Sequence, residues 1–129
     1  MGLHSGKLVK ILVTGSRDWT DAHRIEVAIF RELYETKTFS RDAVLIHGAC
    51  PTGADALAEE YALRAGMHII RRPADWDRYG KRAGFERNRE MVELDPDICL
   101  AFIRGKSRGA TMTANLAEQA GIETKRFLA

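Results

Sequence analysis

The chain alternates between short apolar runs and longer stretches in which apolar residues recur with helical spacing. Short continuous apolar runs are typical of strands that are buried on both faces of a sheet. They cover residues 8–14, 43–47, 68–71, 98–103 and 124–128. The stretches with helical spacing cover residues 22–35, 54–65, 81–94 and 110–120. Gly66 and Gly121 follow the second and fourth of these stretches, and we predict them as helix C-caps.

The order of these elements predicts an α/β fold. A strand and a helix alternate four times before a final strand, which favours right-handed crossovers and a parallel sheet with helices on both faces. All strands of such a sheet end at the same edge, and ligands bind in the crevice where the strand order reverses. The loops that follow the strands are therefore the place where a binding site is expected.

Length and composition limit how the chain is organised. It has 129 residues, of which 45% are hydrophobic and 29% charged, and these values are typical of one soluble globular domain. We expect a single domain over residues 8–129, preceded by a frayed N-terminus over residues 1–7. No apolar run approaches the roughly 20 residues of a membrane span, and no signal peptide is evident. We therefore expect a cytoplasmic protein that does not bind a membrane.

Charge, cysteine and histidine content exclude several kinds of site. A net charge of +2 is too small to support non-specific binding of nucleic acid, so an anion site must be local. Two cysteines are too few for a disulfide scaffold or a zinc cluster, and the histidines lack metal-ligand spacing, so we predict neither a metal nor a cofactor. A reactive pair of Cys50 with His47 is disfavoured, because Cys50 lies three positions beyond the histidine at a strand end.

Three of the loops that follow predicted strands combine glycine with positive charge. Five of the eleven glycines lie in these loops. Glycine lets the backbone approach a phosphate closely, and the N–H groups at a helix N-terminus then bind the anion. The residues that we predict around the ligand are Gly15, Ser16 and Arg17 in the first loop, Gly48, Thr52, Gly53, Ala54 and Asp55 in the second, and Gly105, Ser107, Arg108, Gly109 and Thr111 in the third.

The same loops also have a purely structural interpretation. Glycine is common where a strand turns into a helix, and Thr52 with Asp55 three residues later resembles a capping box. None of the loops has the spacing of a Walker loop or of the G-x-G-x-x-G fingerprint. Three such loops at one edge of a sheet favour a binding site over three unrelated turns.

The third connection, residues 73–85, is longer than an ordinary strand-to-helix turn and is expected to lie over the crevice. Trp76 and Tyr79 within it either stack on a base or close the top of the core. In the helix that follows, Arg87 and Met91 share a face, so that Arg87 faces the sheet if Met91 does. A guanidinium in that position needs an anionic partner, which is a ligand phosphate, Glu90 or Asp55.

In combination, these motifs resemble those of the SLOG superfamily. Within it, residues 10–129 most resemble the small YspA-type, YpsA-related proteins (the DUF2493 group) of bacteria and phages. The matching set is T-G-S-R at 14–17, G-A-C-P-T-G-A-D at 48–55, Trp76 with G-K-x-A-G at 80–84, R-N-x-x-M at 87–91, and Phe102 with residues 105–111.

The resemblance implies a Rossmann-like three-layer sandwich whose five-stranded parallel sheet has the order 3-2-1-4-5, with the crevice between the first and fourth strands. It also implies binding of nucleotides or ADP-ribose-like ligands, and it adds Trp76, Arg87 and Asn88 to the predicted binding residues. Since members of the superfamily are often dimers, it further implies a homodimer.

A second branch of the superfamily, the LOG phosphoribohydrolases, suggests an enzymatic alternative. Their Arg-Lys-x-x-Met segment is similar to residues 87–91, which would make Arg87 catalytic or phosphate-orienting. Their catalytic glutamate has no counterpart after Gly109, because residues 112–115 contain no acid. Stabilising the positive charge that develops on the ribose would then require another carboxylate, of which Asp55, Asp18 and Asp75 are the candidates.

Three functions are consistent with these residues and with the resemblance. The first is a module that binds a nucleotide or a nucleotide-derived phosphate ligand for sensing or processing. The second is a hydrolase that cleaves an N-glycosidic bond of a nucleotide, with Arg87 and Asp55 as its catalytic residues. The third, suggested by the DprA branch of the same superfamily, is binding of single-stranded DNA, against which the low net charge counts.

Overall fold

A computed structural model describes residues 8–129, so the N-terminal fraying expected for residues 1–7 lies outside the described residues. The strands are β1 (Val9–Gly15), β2 (Ala43–His47), β3 (His68–Arg71), β4 (Ile98–Ile103) and β5 (Glu123–Leu128). The helices are α1 (Ala22–Glu35), α2 (Gly53–Ala65), α3 (Trp76–Tyr79), α4 (Ala83–Glu93) and α5 (Arg108–Gln119). Two 3₁₀ turns, Ser40–Asp42 and Gly80–Arg82, precede β2 and α4.

The five strands form one parallel sheet in the order β3-β2-β1-β4-β5, which confirms the predicted fold class. β1 lies at the centre and pairs with β2 on one side and β4 on the other. All of β2 and β4 is buried, as continuous apolar runs predict for strands covered on both faces. The order reverses between β1 and β4, and this opens a crevice at their carboxyl ends.

Each face of the sheet has its own hydrophobic core. Ile11 and Val13 point to the side that α1 and α2 cover, where Phe102 and Trp19 also pack. Leu12 points to the opposite side, where Met91 of α4 and Ala117 of α5 lie. Successive side chains of β1 therefore point to opposite faces of the sheet, and each face packs against its own pair of helices.

Several element boundaries differ from the predicted ones, and three of the differences concern loops or caps. Gly15 is the last residue of β1 and pairs with Phe102, whereas the sequence placed it in the following loop. α5 ends at Gln119 with Ala120 as its cap, so that Gly121, at φ +82°, lies one residue beyond the cap. The predicted connection before the third helix contains α3 and a 3₁₀ turn, and α4 begins at Ala83, whereas the helix was predicted to begin at residue 81. Gly66 is the predicted left-handed cap of α2.

No helix within residues 8–129 is both long and apolar enough to cross a membrane.

Candidate functional site

A crevice of about 960 Å³ lies above the carboxyl ends of β1, β2 and β4. Its floor is formed by the ends of these strands, and its walls by the loops that follow them and by one face of α4. The volume lies at the upper end of the range found for small-molecule and cofactor sites. The crevice is thus in the position where open α/β sheets bind their ligands.

Ser16 joins the loops that follow β1 and β4. Its N–H donates to the Phe102 carbonyl at 2.8 Å, and its hydroxyl oxygen accepts from the Arg104 N–H at 2.7 Å. The side chain is buried, 3% exposed. The Ser16 hydroxyl also donates to the Arg104 carbonyl at 3.4 Å, so its proton and one of its two lone pairs are engaged before any ligand arrives.

The start of α2 is fastened to the first loop. The Ala54 N–H donates to the Ser16 carbonyl at 3.2 Å, and the Thr52 hydroxyl donates to the Arg17 carbonyl at 3.0 Å. The capping-box interpretation is wrong, because the Thr52 hydroxyl acts as a donor to Arg17 and the Asp55 carboxylate binds elsewhere. An N–H group at this helix start is thereby occupied by protein.

Close packing explains the glycine at the end of β1. A Cβ on Gly15 would lie 2.7 Å from the Phe102 carbonyl oxygen and would overlap the Ala54 side chain. Only glycine lets β1, β4 and α2 approach this closely. The crevice floor is consequently flat backbone at this point.

Asp55 organises the second loop from below. Its Oδ2 accepts from the Gly48 N–H at 3.1 Å and from the Cys50 N–H at 3.2 Å. Burial raises the pKa of the Asp55 carboxyl, while the neighbouring His47, the Cys50 N–H bond and the nearby Arg87 act in the opposite direction. Oδ1 has no hydrogen-bond partner among residues 8–129, where every fully buried side-chain oxygen has one. Oδ1 is therefore open to solvent, and Asp55 is one of the residues that line the crevice.

Arg87 reaches the crevice from α4. As predicted, it shares a face with Met91, which is only 2% exposed. Its Nη1 donates to the Gly48 carbonyl at 2.6 Å, and its Nε donates to the Asn88 side-chain carbonyl at 2.8 Å. Burial lowers the pKa of the Arg87 guanidinium, and the Asp55 carboxylate opposes that change. Among the described residues no carboxylate forms an ion pair with Arg87.

The N-terminus of α5 contributes backbone donors to the opposite wall. Ser107 precedes the helix, and the first N–H bond within it runs from Thr111 to the Ser107 carbonyl at 3.1 Å. The N–H groups of Arg108, Gly109 and Ala110 lie before that bond and have no intrahelical acceptor. Gly109 and Ala110 line the crevice, so this positive end of the helix faces it.

Further cations surround the mouth of the crevice. Arg17, Arg104 and Lys106 line it, and Arg104 is steadied by a 3.2 Å bond from its Nη1 to the Asp18 carbonyl. Asp18 and Asp55 are the carboxylates among the described lining residues. Positive groups thus outnumber negative ones, although the whole chain is nearly neutral.

Trp76 lies on the rim and is 58% exposed, so the alternative that it closes the top of the core is wrong. Its exposed ring remains available for stacking on a base. Tyr79 is half-buried, packs 5.0 Å from the Arg78 guanidinium, and is not a lining residue.

The structure brings most of the predicted site residues together. Twelve line the crevice: Gly15, Ser16, Arg17, Gly48, Thr52, Asp55, Trp76, Arg87, Asn88, Gly105, Ser107 and Gly109. Four do not: Gly53 and Ala54 lie beneath the first loop, while Arg108 and Thr111 line a separate groove along α5.

Asp18, a candidate carboxylate, and Arg104 and Lys106, which belong to the positive charge expected of these loops, also line the crevice. Eight further lining residues were not predicted: Thr14, Ala49, Cys50, Pro51, Pro73, Ala74, Met91 and Ala110. Most of them lie in the same three loops, so taking each loop as a whole would have found them. Within residues 8–129 no group of three His, Cys, Asp or Glu side chains is arranged to hold a metal ion.

Comparisons with known proteins agree with this architecture. A family model described as the YspA, cpYpsA-related SLOG family matches residues 9–79. The Gene 61 protein of Mycobacterium phage D29 is 36% identical over 123 residues, which cover 92% of this chain and 95% of that protein. The crystal structure of the C-terminal domain of a hydrogenase from Pyrococcus furiosus is similar with a TM-score of 0.50 and 22% identity, covering 95% and 93% of the two chains. At that identity the hydrogenase domain is similar in fold alone.

Proposed function

The chain belongs to the YspA, cpYpsA-related SLOG family, and we propose that it binds a nucleotide-derived phosphate ligand in the crevice. Family membership indicates a nucleotide-related Rossmann-like module. We further propose that the protein is a module for sensing or processing such a ligand, and that the groups lining the crevice hold it.

One observation carries the proposal: a half-buried guanidinium and a free helix N-terminus line the same crevice. Arg87 keeps its charge beside a single carboxylate, and the N–H groups at the start of α5 need acceptors. A phosphate satisfies both, because its oxygens accept charge-assisted hydrogen bonds and its charge matches the helix dipole. Arg17, Arg104 and Lys106 at the mouth favour a ligand that carries more than one negative charge.

The base of the ligand would lie towards Trp76. Its exposed ring is at the rim, on the loop that follows β3. Aromatic faces stack on bases with little preference between them, so this contact adds affinity without defining one nucleotide. A nucleoside 5′-monophosphate or an ADP-ribose-like molecule fits the combination of phosphate donors and an aromatic rim.

Titration calorimetry with AMP, ADP-ribose and adenosine tests the proposal. We expect both phosphate compounds to bind and adenosine to bind at least about 30-fold more weakly, because it lacks the charge-assisted bonds. Gly109→Asp is the informative variant: a Cβ there meets no protein atom within 4 Å, and an acid in the first turn favours the helix. This variant should unfold at the same or a higher temperature and yet lose AMP binding.

Two results would contradict the proposal. One is equal affinity for AMP and adenosine, which would remove the phosphate from the recognition. The other is AMP binding by Gly109→Asp with wild-type affinity, which would mean that the start of α5 does not contact the anion.

Hydrolysis of the ligand is the second candidate, and the open Oδ1 of Asp55 is the observation that favours it. Asp55→Asn separates binding from hydrolysis, because asparagine can still accept from the Gly48 and Cys50 N–H groups. If the protein only binds, the variant should bind AMP about 3- to 10-fold more tightly, since a negative charge near the phosphate is gone.

The matching assay is chromatography of AMP incubated with each protein. A binding module releases no adenine in either form. Release of adenine by the wild-type protein, lost in Asp55→Asn, would instead identify a hydrolase with Asp55 as its catalytic carboxylate.

A further inference from the structure

His47 is a buried histidine that lies directly below the crevice without lining it. It is the last residue of β2 and 2% exposed. Its Nδ1 accepts from the Ala49 N–H at 2.9 Å, and its Nε2 lies 2.7 Å from Oε1 of Glu59. Because the Ala49 N–H points at Nδ1, the ring proton is on Nε2 and is donated to Glu59. Both nitrogens are occupied, which leaves none to activate Cys50.

Glu59 fixes the orientation of the ring. The same Oε1 accepts from Nε of Arg71 at 2.6 Å, on the neighbouring edge strand. The bond from Arg71 lowers the pKa of the Glu59 carboxyl, so Glu59 is an ionised acceptor for the ring. A series of hydrogen bonds therefore runs from the surface to the backbone of the second loop, through Arg71, Glu59 and His47.

The second loop, where this series of hydrogen bonds ends, is held in an unusual conformation. Ala49 has φ +61°, in the left-handed region that residues with a side chain seldom adopt. The flanking N–H groups of Gly48 and Cys50 bind Asp55, while the Gly48 carbonyl accepts from Arg87. Rotation of the loop would therefore move the acceptor that orients Arg87. A conformation of this kind persists only where surrounding bonds hold it.

We infer that His47, oriented by Glu59, is a positioning residue that holds residues 48–50 so that Gly48 orients Arg87 towards the ligand. The role in binding rests on the proposed function, whereas the effect on the loop does not. His47 touches no ligand atom in this scheme. It acts through one hydrogen bond, from the Ala49 N–H to Nδ1.

Two substitutions at His47 separate its two hydrogen bonds. The side-chain oxygen of asparagine can take the place of Nδ1, and the side-chain nitrogen of glutamine can take the place of Nε2. His47→Asn should therefore keep the bond from Ala49 and lose Glu59, while His47→Gln should keep Glu59 and lose Ala49. We expect AMP affinity within about 3-fold of wild type for the first and about 10-fold weaker for the second.

Amide hydrogen exchange of the ligand-free protein, followed by NMR, supplies the readout that needs no ligand. The Ala49 amide should exchange slowly in wild type and His47→Asn, and at least about 10-fold faster in His47→Gln. Glu59→Ala should accelerate it as well and Glu59→Gln less so, because glutamine keeps an acceptor for the ring. Glu26→Gln, at a surface pair with Arg64, is the matched control and should change neither exchange nor affinity.

Equal Ala49 exchange in His47→Asn and His47→Gln would overturn the inference, as would equal loss of AMP affinity in both. If wild type binds no AMP, the proposed function fails, and the exchange rates still decide whether His47 holds the loop. If both His47 variants fail to fold, the comparison of Glu59→Ala with Glu59→Gln decides it, because Glu59 is only partly buried.

Discussion

Replacing Arg87 by alanine is expected to weaken AMP binding by about 100-fold, or roughly 3 kcal/mol, the largest effect of removing any one side chain at the crevice. The guanidinium is half-buried, already oriented by Gly48 and Asn88, and paired with no carboxylate among residues 8–129. Because its orientation is fixed in advance, little side-chain entropy is lost when a phosphate binds. Lysine at this position keeps the charge but not the fork of donors, so Arg87→Lys should lie between wild type and alanine.

The measurement is calorimetric titration of AMP, with thermal unfolding to verify that each variant is folded. Arg89→Ala is the matched control, since Arg89 lies two residues further along α4 and pairs with Glu86 and Glu93 away from the crevice. It should leave the affinity unchanged. Wild-type affinity in a folded Arg87→Ala protein would exclude Arg87 from the site.

Replacing Gly53 by alanine is expected to lower the free energy of unfolding by about 3 kcal/mol and the melting temperature by about 10 °C. Gly53 has φ +74°, which disfavours a side chain by roughly 1–2 kcal/mol. A Cβ there would also lie 2.6 Å from the Arg17 Cα and overlap the Ser16 carbonyl. These are backbone atoms that cannot move aside without breaking the bonds between the first loop and α2.

Gly84→Ala is the control for this prediction and should have the opposite sign. Gly84 lies in the first turn of α4, and a Cβ there meets no atom within 4 Å. Alanine in a helix should stabilise the protein by about 0.5 kcal/mol. Thermal unfolding of the two variants side by side checks both, and a stable Gly53→Ala protein would mean that the loop and α2 can separate without cost.

The order of the strands and main helices could be predicted from the sequence, because each of them has a regular pattern of apolar residues. Continuous apolar runs such as Ile98–Ile103 and Ala43–His47 are needed only where a strand is covered on both faces. Glycine at Gly66 ended α2 as predicted, because that residue must adopt a left-handed conformation. The strand order also came from the sequence, through the resemblance of its motifs, and the structure confirms it.

Segments without a repeating pattern of apolar residues were predicted less well. α3 is only four residues long and carries no repeat that distinguishes it from a loop, so residues 76–79 were assigned to the connection that precedes the helix. The exposure of Trp76 also had no sequence signal, since the residues around it in one sequence do not distinguish an exposed tryptophan from a buried one.

Periodicity and motifs within single segments were enough to define the layers, the strand order and the loops that meet at one edge. The role of each side chain in those loops depends instead on contacts between segments that are distant along the chain. Thr52 binds Arg17, Ser16 binds Arg104, and His47 holds Ala49 through Nδ1. Such bonds form only when folding brings distant segments together at the right distance and angle, and the residues within one segment do not determine that geometry. For this reason Thr52, which resembled part of a capping box, instead joins two loops by a hydrogen bond. For the same reason His47, for which the sequence predicted no role, lies beneath the crevice and binds the backbone of the second loop.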